Sequence, residues 1–233
     1  MSETSHALVR RGLNLMAVGT PEAIDRALAL FDEAIAIRSE QAADPFNQIG
    51  ESDAFDLAGA WMNRAEALLS RNQPGDALAA VAALHKAISL LEPFIPGVGW
   101  GVGSSVGSGV GPGTGPGAAV MLRRLAVACH NRALARRRCG GRESWQVVPD
   151  LLRAIGLLER PAARAIADRV TLLAAAWASL AAAQIAEPTE DAWARAIQSA
   201  THAVELLGPL KLGPTAAAIH QQAHEVMRHA AVV

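Results

Sequence analysis

The feature that most constrains this fold is a spacing that recurs four times along the chain. In one set of segments, Trp61-x3-Ala65-x2-Leu68 aligns with Trp177-x3-Ala181, with Cys129-x3-Ala133 and with Leu8-x3-Gly12-x2-Leu15. In the segments that follow them, Ala27-x3-Phe31-x2-Ala34-Ile35 aligns with Ala80-x3-Leu84-x2-Ala87-Ile88, Val147-x3-Leu151-x2-Ala154-Ile155 and Ala196-x3-Ala200-x2-Ala203-Val204. The small residue of the first segment precedes the last alanine of the second by 22, 22, 21 and 22 residues. Steps of three and four place such residues on one helical face. Small residues allow two helices to approach closely, and large ones fill the gap between neighbouring pairs. The expected architecture is therefore all-α: four antiparallel hairpins and a C-terminal helix, stacked as an α-solenoid or as an irregular helical bundle.

Local signals agree. Thr20-Pro21-Glu22 reads as a helix start, with an N-cap, a first-turn proline and a first-turn acid. Helices are expected over about 4–18, from 21 to about 38, and over 54–70, 76–91, 119–138, 144–159, 162–185 and 190–207, with a last one to about 230. Breaks fall at Gly19, Asn72 to Gly75, Gly140-Gly141, Glu187-Pro188-Thr189 and Gly208-Pro209. Fifty of the 233 residues are alanine and β-branched residues are sparse, which excludes an all-β fold. Ten of the 21 residues in 97–117 are glycine, so this segment is expected to be a flexible loop inside a single domain, 1–233.

The aligned residues resemble tetratricopeptide (TPR) repeats. That pattern runs large, small and aromatic along a first helix, A-x3-F along a second, then a closing proline, here Pro93, Pro161 and Pro209. The match is divergent. Successive units start 53, 68 and 48 residues apart, and the aromatic position is mostly Leu or Ala. Trp61 and Trp177, at equivalent positions, are expected to be buried between helices.

In TPR proteins the first helix of each pair lines a concave groove. Carried over by alignment, the groove positions are His6, Arg10 and Leu13, then Met62, Asn63 and Glu66, then His130, Asn131, Leu134, Arg137 and Arg138, then Ala178 and Ser179. Arg10, Asn63, Asn131 and Ser179 are mutually equivalent. The resemblance implies that an asparagine here holds a ligand peptide's backbone, since an amide both donates and accepts. Independently, Arg123-Arg124, His130-Asn131 and Arg137-Arg138 recur every seven residues. They form one helical band about 140° wide, with Val127 and Leu134 along its middle. Arginines there suit carboxylates, which a guanidinium grips in a bidentate fork.

Other chemistries find little support. Gly113-x-Gly115-x-x-Ala118 follows more glycine rather than a strand, so it is no dinucleotide fingerprint. His224-Glu225-x3-His229 is one residue too long for a zinc helix, and His220 with His224 lacks a third ligand. Asp and Glu are expected in first turns and on exposed helix faces, with no serine–histidine–acid set. Cys129 and Cys139 read as reduced thiols. The N-terminal residues lack a signal-peptide pattern, and the 17-residue uncharged run 170–186 is too weakly apolar for a membrane span. A cytoplasmic location is expected, and the arginine and alanine bias suits a GC-rich bacterial genome. Net charge is −1 overall, but residues 1–116 hold 7 basic and 13 acidic residues and 117–233 hold 14 and 9, an asymmetry that leaves self-association open.

The expected function is a non-catalytic scaffold without cofactor or metal, binding a protein or peptide that carries acidic groups. Its site would comprise Arg10, Asn63, Glu66, Arg123, Arg124, His130, Asn131, Arg137 and Arg138. Nucleic acid, or another anionic ligand, on the basic helix Arg123 to Arg142 is the first alternative, disfavoured because no aromatic is interleaved for stacking. An enzyme with an unrecognised site is the second.

Overall fold

The computed structural model describes residues 4–42, 49–95, 116–140, 147–208 and 213–230. All regular structure among them is helical: α1 (Ser5–Val18), α2 (Pro21–Ala42), α3 (Glu51–Arg71), α4 (Asp76–Leu91), α5 (Pro116–Cys139), α6 (Val147–Glu159), α7 (Arg169–Gln184), α8 (Glu190–Leu207) and α9 (Pro214–Ala230). Single 3₁₀ turns follow α4 and α6.

The helix boundaries have local causes. The Thr4 hydroxyl caps α1 and the Thr20 hydroxyl caps α2, accepting from the amides of Ala7 and Ala23. Gly19 closes α1 with a φ of 74°, a left-handed turn that glycine adopts without a Cβ clash. Thr189 caps α8 in the same way, its hydroxyl 3.2 Å from the amide of Ala192. In the α3–α4 turn the Asp76 carboxylate accepts from the Gln73 amide and takes a bidentate grip from Arg71 at 2.6 and 2.9 Å. Arg71 also reaches Asp25 on α2 at 3.1 Å, tying the turn to the neighbouring hairpin.

Three expected boundaries are corrected. Helix α2 runs to Ala42 rather than to about 38. Helix α7 starts at Arg169 rather than at 162, because Pro161 opens a 3₁₀ turn over Pro161–Ala165 and Ile166 is extended. Helix α3 starts at Glu51 rather than at 54, with Glu51 and Asp53 in its first turn, where acids favour the helix dipole. The expected glycine loop lies outside the described residues up to 115, and α5 begins at Pro116, inside the expected loop boundary.

The helices form two compact units. Unit one holds α1 to α4 and the C-terminal turn of α5 from Ala135; unit two holds the rest of α5 and α6 to α9. In unit one, α1 packs on α2, α2 on α3 and α3 on α4; in unit two, α6 packs on α7, α7 on α8 and α8 on α9.

The repeat residues form these cores. Gly12, Ala65, Ala133 and Ala181 are all buried, as are the matched second-helix residues except Val204. At Gly12 the requirement is direct: an added Cβ would lie 2.5 Å from the ring of Phe31, itself fully buried. Trp61 and Trp177 depart from expectation, since both are half-buried. Trp61 packs on Ile35, Leu57 and Ala60, and Trp177 on the α7–α8–α9 core. Leu8 and Cys129 fill the equivalent places completely. An indole is wider, and the excess reaches the surface.

Helix α4 with its 3₁₀ extension is long and apolar enough to cross a membrane, unlike the run at 170–186 singled out from the sequence. Its Ala80, Leu84, Ala87, Ile88 and Leu91 are sealed in the core of unit one, as in the central helix of a packed bundle.

Candidate functional site

The arginine band on α5 does not survive as one open face. Arg123 holds Asp168 through two hydrogen bonds of 2.9 and 2.6 Å, with both side chains nearly half exposed. Each charge favours the other: Asp168 sits below the usual carboxylate range because of Arg123, and Arg123 is raised by Asp168. Arg138 donates to the backbone carbonyl of Leu69 at 2.8 Å and so satisfies an acceptor near the end of α3.

His130 is also engaged in packing. Its Nε2 lies 3.0 Å from the Ser179 hydroxyl on α7, and its ring donates to the Ala175 carbonyl. Burial pushes its pKa down to about 4, the Ala175 bond opposing the shift only in part. The imidazole is therefore neutral near pH 7. This serine–histidine contact was not expected from the sequence. Ser179 is buried between helices, which suits a structural tie better than a nucleophile. Ala178 and Ser179, both expected to face a groove, are buried. Ala178 lies in the α7–α8–α9 core, and Ser179 meets His130 of α5.

What remains available differs from the expected set. In unit one, Arg10 and Arg137 are exposed and form no ion pair with any described residue. Glu66 is likewise exposed without a pair, and Leu13 on α1 is 44% exposed. Asn63 is half-buried, and its amide makes no hydrogen bond to a described residue. His6, by contrast, contacts Asp56 at 3.3 Å and Arg38 at 3.2 Å. In unit two, Asn131 repeats the situation of Asn63, a half-buried amide with no partner among the described residues. Arg124 is half-buried and has its own contacts. Arg142 lies outside the described residues.

Two arrangements escaped the sequence reading. The buried pair Arg132–Asp150, with bonds of 2.6 and 3.0 Å, joins α5 to α6. Acids were expected on exposed faces, yet Asp76 and Asp150 are buried in first turns and matched by arginines. An aspartate in the first turn with an arginine five or eighteen residues away is too common a pattern to read from sequence. The second arrangement is a cavity between α6, α7 and α8 around Trp177 and Gln184. No group of three or more His, Cys, Asp or Glu side chains with metal-binding geometry occurs among the described residues.

No family model matches this sequence, and no curated protein does. Solved structures do. Two crystal structures of a Podosopora anserina putative kinesin light chain with nearly identical TPR-like repeats, one of them a single-residue variant, align over 100% of this chain and 96% of theirs. Their TM-scores are 0.52 and 0.51, at 14% and 15% identity. The fold is a divergent TPR-like helical repeat. A DHF58 filament also aligns, over 98% of this chain and 94% of its own, with a TM-score of 0.39 and 13% identity. At 14% and 15% identity the likeness to the kinesin light chain structures concerns the fold alone.

Proposed function

We propose that the chain is a non-catalytic scaffold that binds an extended segment of another protein through the faces of its first helices. The observation that carries this reading is the pair Asn63 and Asn131. They occupy matched repeat positions, and both are half-buried amides without a partner among the described residues. Both amides keep accessible surface, and a peptide backbone offers the acceptor and the donor that each side chain leaves unused. Arg10 and Arg137, exposed and unpaired, would draw acidic groups of the partner. Arg123, His130 and Arg138 already bond Asp168, Ser179 and the Leu69 carbonyl, so this reading rests on the two other arginines.

The test is charge reversal of the two available arginines. Peptides selected on the wild type from a random display library should be enriched in Asp and Glu. Arg10→Glu with Arg137→Glu should weaken them at least tenfold while leaving circular dichroism and Tm unchanged. A steep salt slope, with single-stranded nucleic acid binding as well as any peptide, would favour the anionic-ligand alternative instead. Unchanged affinity in the double variant would remove the arginines from the site.

A further inference from the structure

Unit two contains a cavity of about 650 Å³ between α6, α7 and α8, and the proposed peptide-binding function makes no use of it. The first-helix amides lie elsewhere: neither Asn63 nor Asn131 lines it. The volume suits a small molecule or two to three residues of a peptide.

Its chemistry is set by Gln184. This side chain is only 9% exposed, yet it lines the cavity. The Ser199 hydroxyl donates to its Oε1 at 2.9 Å, which fixes the amide. The Nε2 group then has two hydrogens and no acceptor among the described residues. Trp177 is also a wall residue, but its Nε1, which finds no acceptor, has almost no accessible surface, so the cavity reaches the indole and not this donor. Gln184 Nε2 keeps accessible surface although the residue is nearly buried, so an acceptor in the cavity can reach the hydrogens it leaves unused. Leu180 lies on the lining with Trp177, and Leu152, 51% exposed, is an uncovered apolar residue of the same wall.

Charge narrows the class of ligand. Glu159 and Glu205 also line the cavity, and both are exposed. The one lining arginine, Arg195, reaches out to Glu187 at 3.5 Å. Two carboxylates would repel a free anion but not a neutral acceptor. We propose that this cavity is a ligand site for an uncharged amide: an apolar side chain seated on Leu152, Leu180 and Trp177, with a carbonyl oxygen accepting from Gln184 Nε2. A short peptide segment and a free small carboxamide share that chemistry.

The test uses the full chain, with the indole and side-chain amide resonances of Trp177 and Gln184 followed by ¹⁵N NMR. N-acetyl-leucinamide serves as the small probe, N-acetyl-Ala-Leu-Ala-amide as the segment, and uncharged 2-methylbutane as a stem without an acceptor. At least one amide probe should shift both resonances saturably, with a Kd below about 10 mM, and the hydrocarbon should not shift that of Gln184. Saturation by the small probe assigns a free-ligand site; saturation by the tripeptide alone assigns a segment of a partner. Gln184→Met should weaken binding at least tenfold. Leu152→Arg, placed at an exposed position so that folding is spared, should close the wall and do the same. The proposal is overturned if neither amide saturates, if the hydrocarbon shifts the Gln184 resonance equally well, or if both variants bind like the wild type.

Discussion

Acidification should destabilise this protein through His130 well before its carboxylates titrate. The folded-state pKa of about 4 lies below the ordinary value of 6.5, because burial disfavours the imidazolium. The sign follows from proton linkage. Between pH 6.5 and 4 the unfolded chain takes up a proton that the native state refuses, so stability falls as pH drops through this window. Above it both states are neutral, and below it both are charged, so the loss is bounded at both ends. At 1.36 kcal/mol per pKa unit the full effect is about 3 kcal/mol. That is a large fraction of a typical stability of 5–15 kcal/mol. Asp76 and Asp168, held below the usual range by Arg71 and Arg123, lose their share only at still lower pH. The assay is urea unfolding at pH 7.5, 6.5, 5.5 and 4.5 for wild type and His130→Gln, with NMR titration of the His130 ring alongside. The wild type should lose about 2–3 kcal/mol more than the variant between the extremes. Parallel pH dependence in the two proteins, or a His130 ring titrating near 6.5, would refute the reasoning.

Two further substitutions test the packing. Gly12→Ala sets a methyl against the fully buried Phe31 ring and should cost about 1–3 kcal/mol by urea denaturation, although alanine is the better helix former. Asp150→Ala removes the carboxylate from buried Arg132 and should cost about 3–5 kcal/mol, visible as a large drop in the Tm of unit two.

The parts of the fold that were legible in the sequence are those governed by periodicity. The matched small residues, from Gly12 to Ala181, report contacts that any antiparallel helix pair must make, so spacing alone locates them. The start of α7 was illegible because Pro161 can open either an α-helix or a 3₁₀ turn. The outcome is decided downstream, where Asp168 turns to Arg123 and the Arg169 side chain donates to the Leu158 carbonyl. The arginine band shows the same limit at the candidate site. A helical wheel puts Arg123, His130, Arg137 and Arg138 on one face, but it does not show that Asp168, Ser179 and the Leu69 carbonyl wait there for three of them. Partners 45, 49 and 69 residues away leave no local trace. The equivalence of Asn63 and Asn131 comes from the repeat alignment, and both are half-buried in their helices.

Isothermal titration of a library-selected peptide tests whether each of the two asparagines holds the backbone of a bound segment. Asn63→Ala and Asn131→Ala should each weaken the peptide by about 1–3 kcal/mol, with no change in unfolding midpoint, because neither amide supports the fold. A Kd that stays at the wild-type value in the double variant would contradict the account.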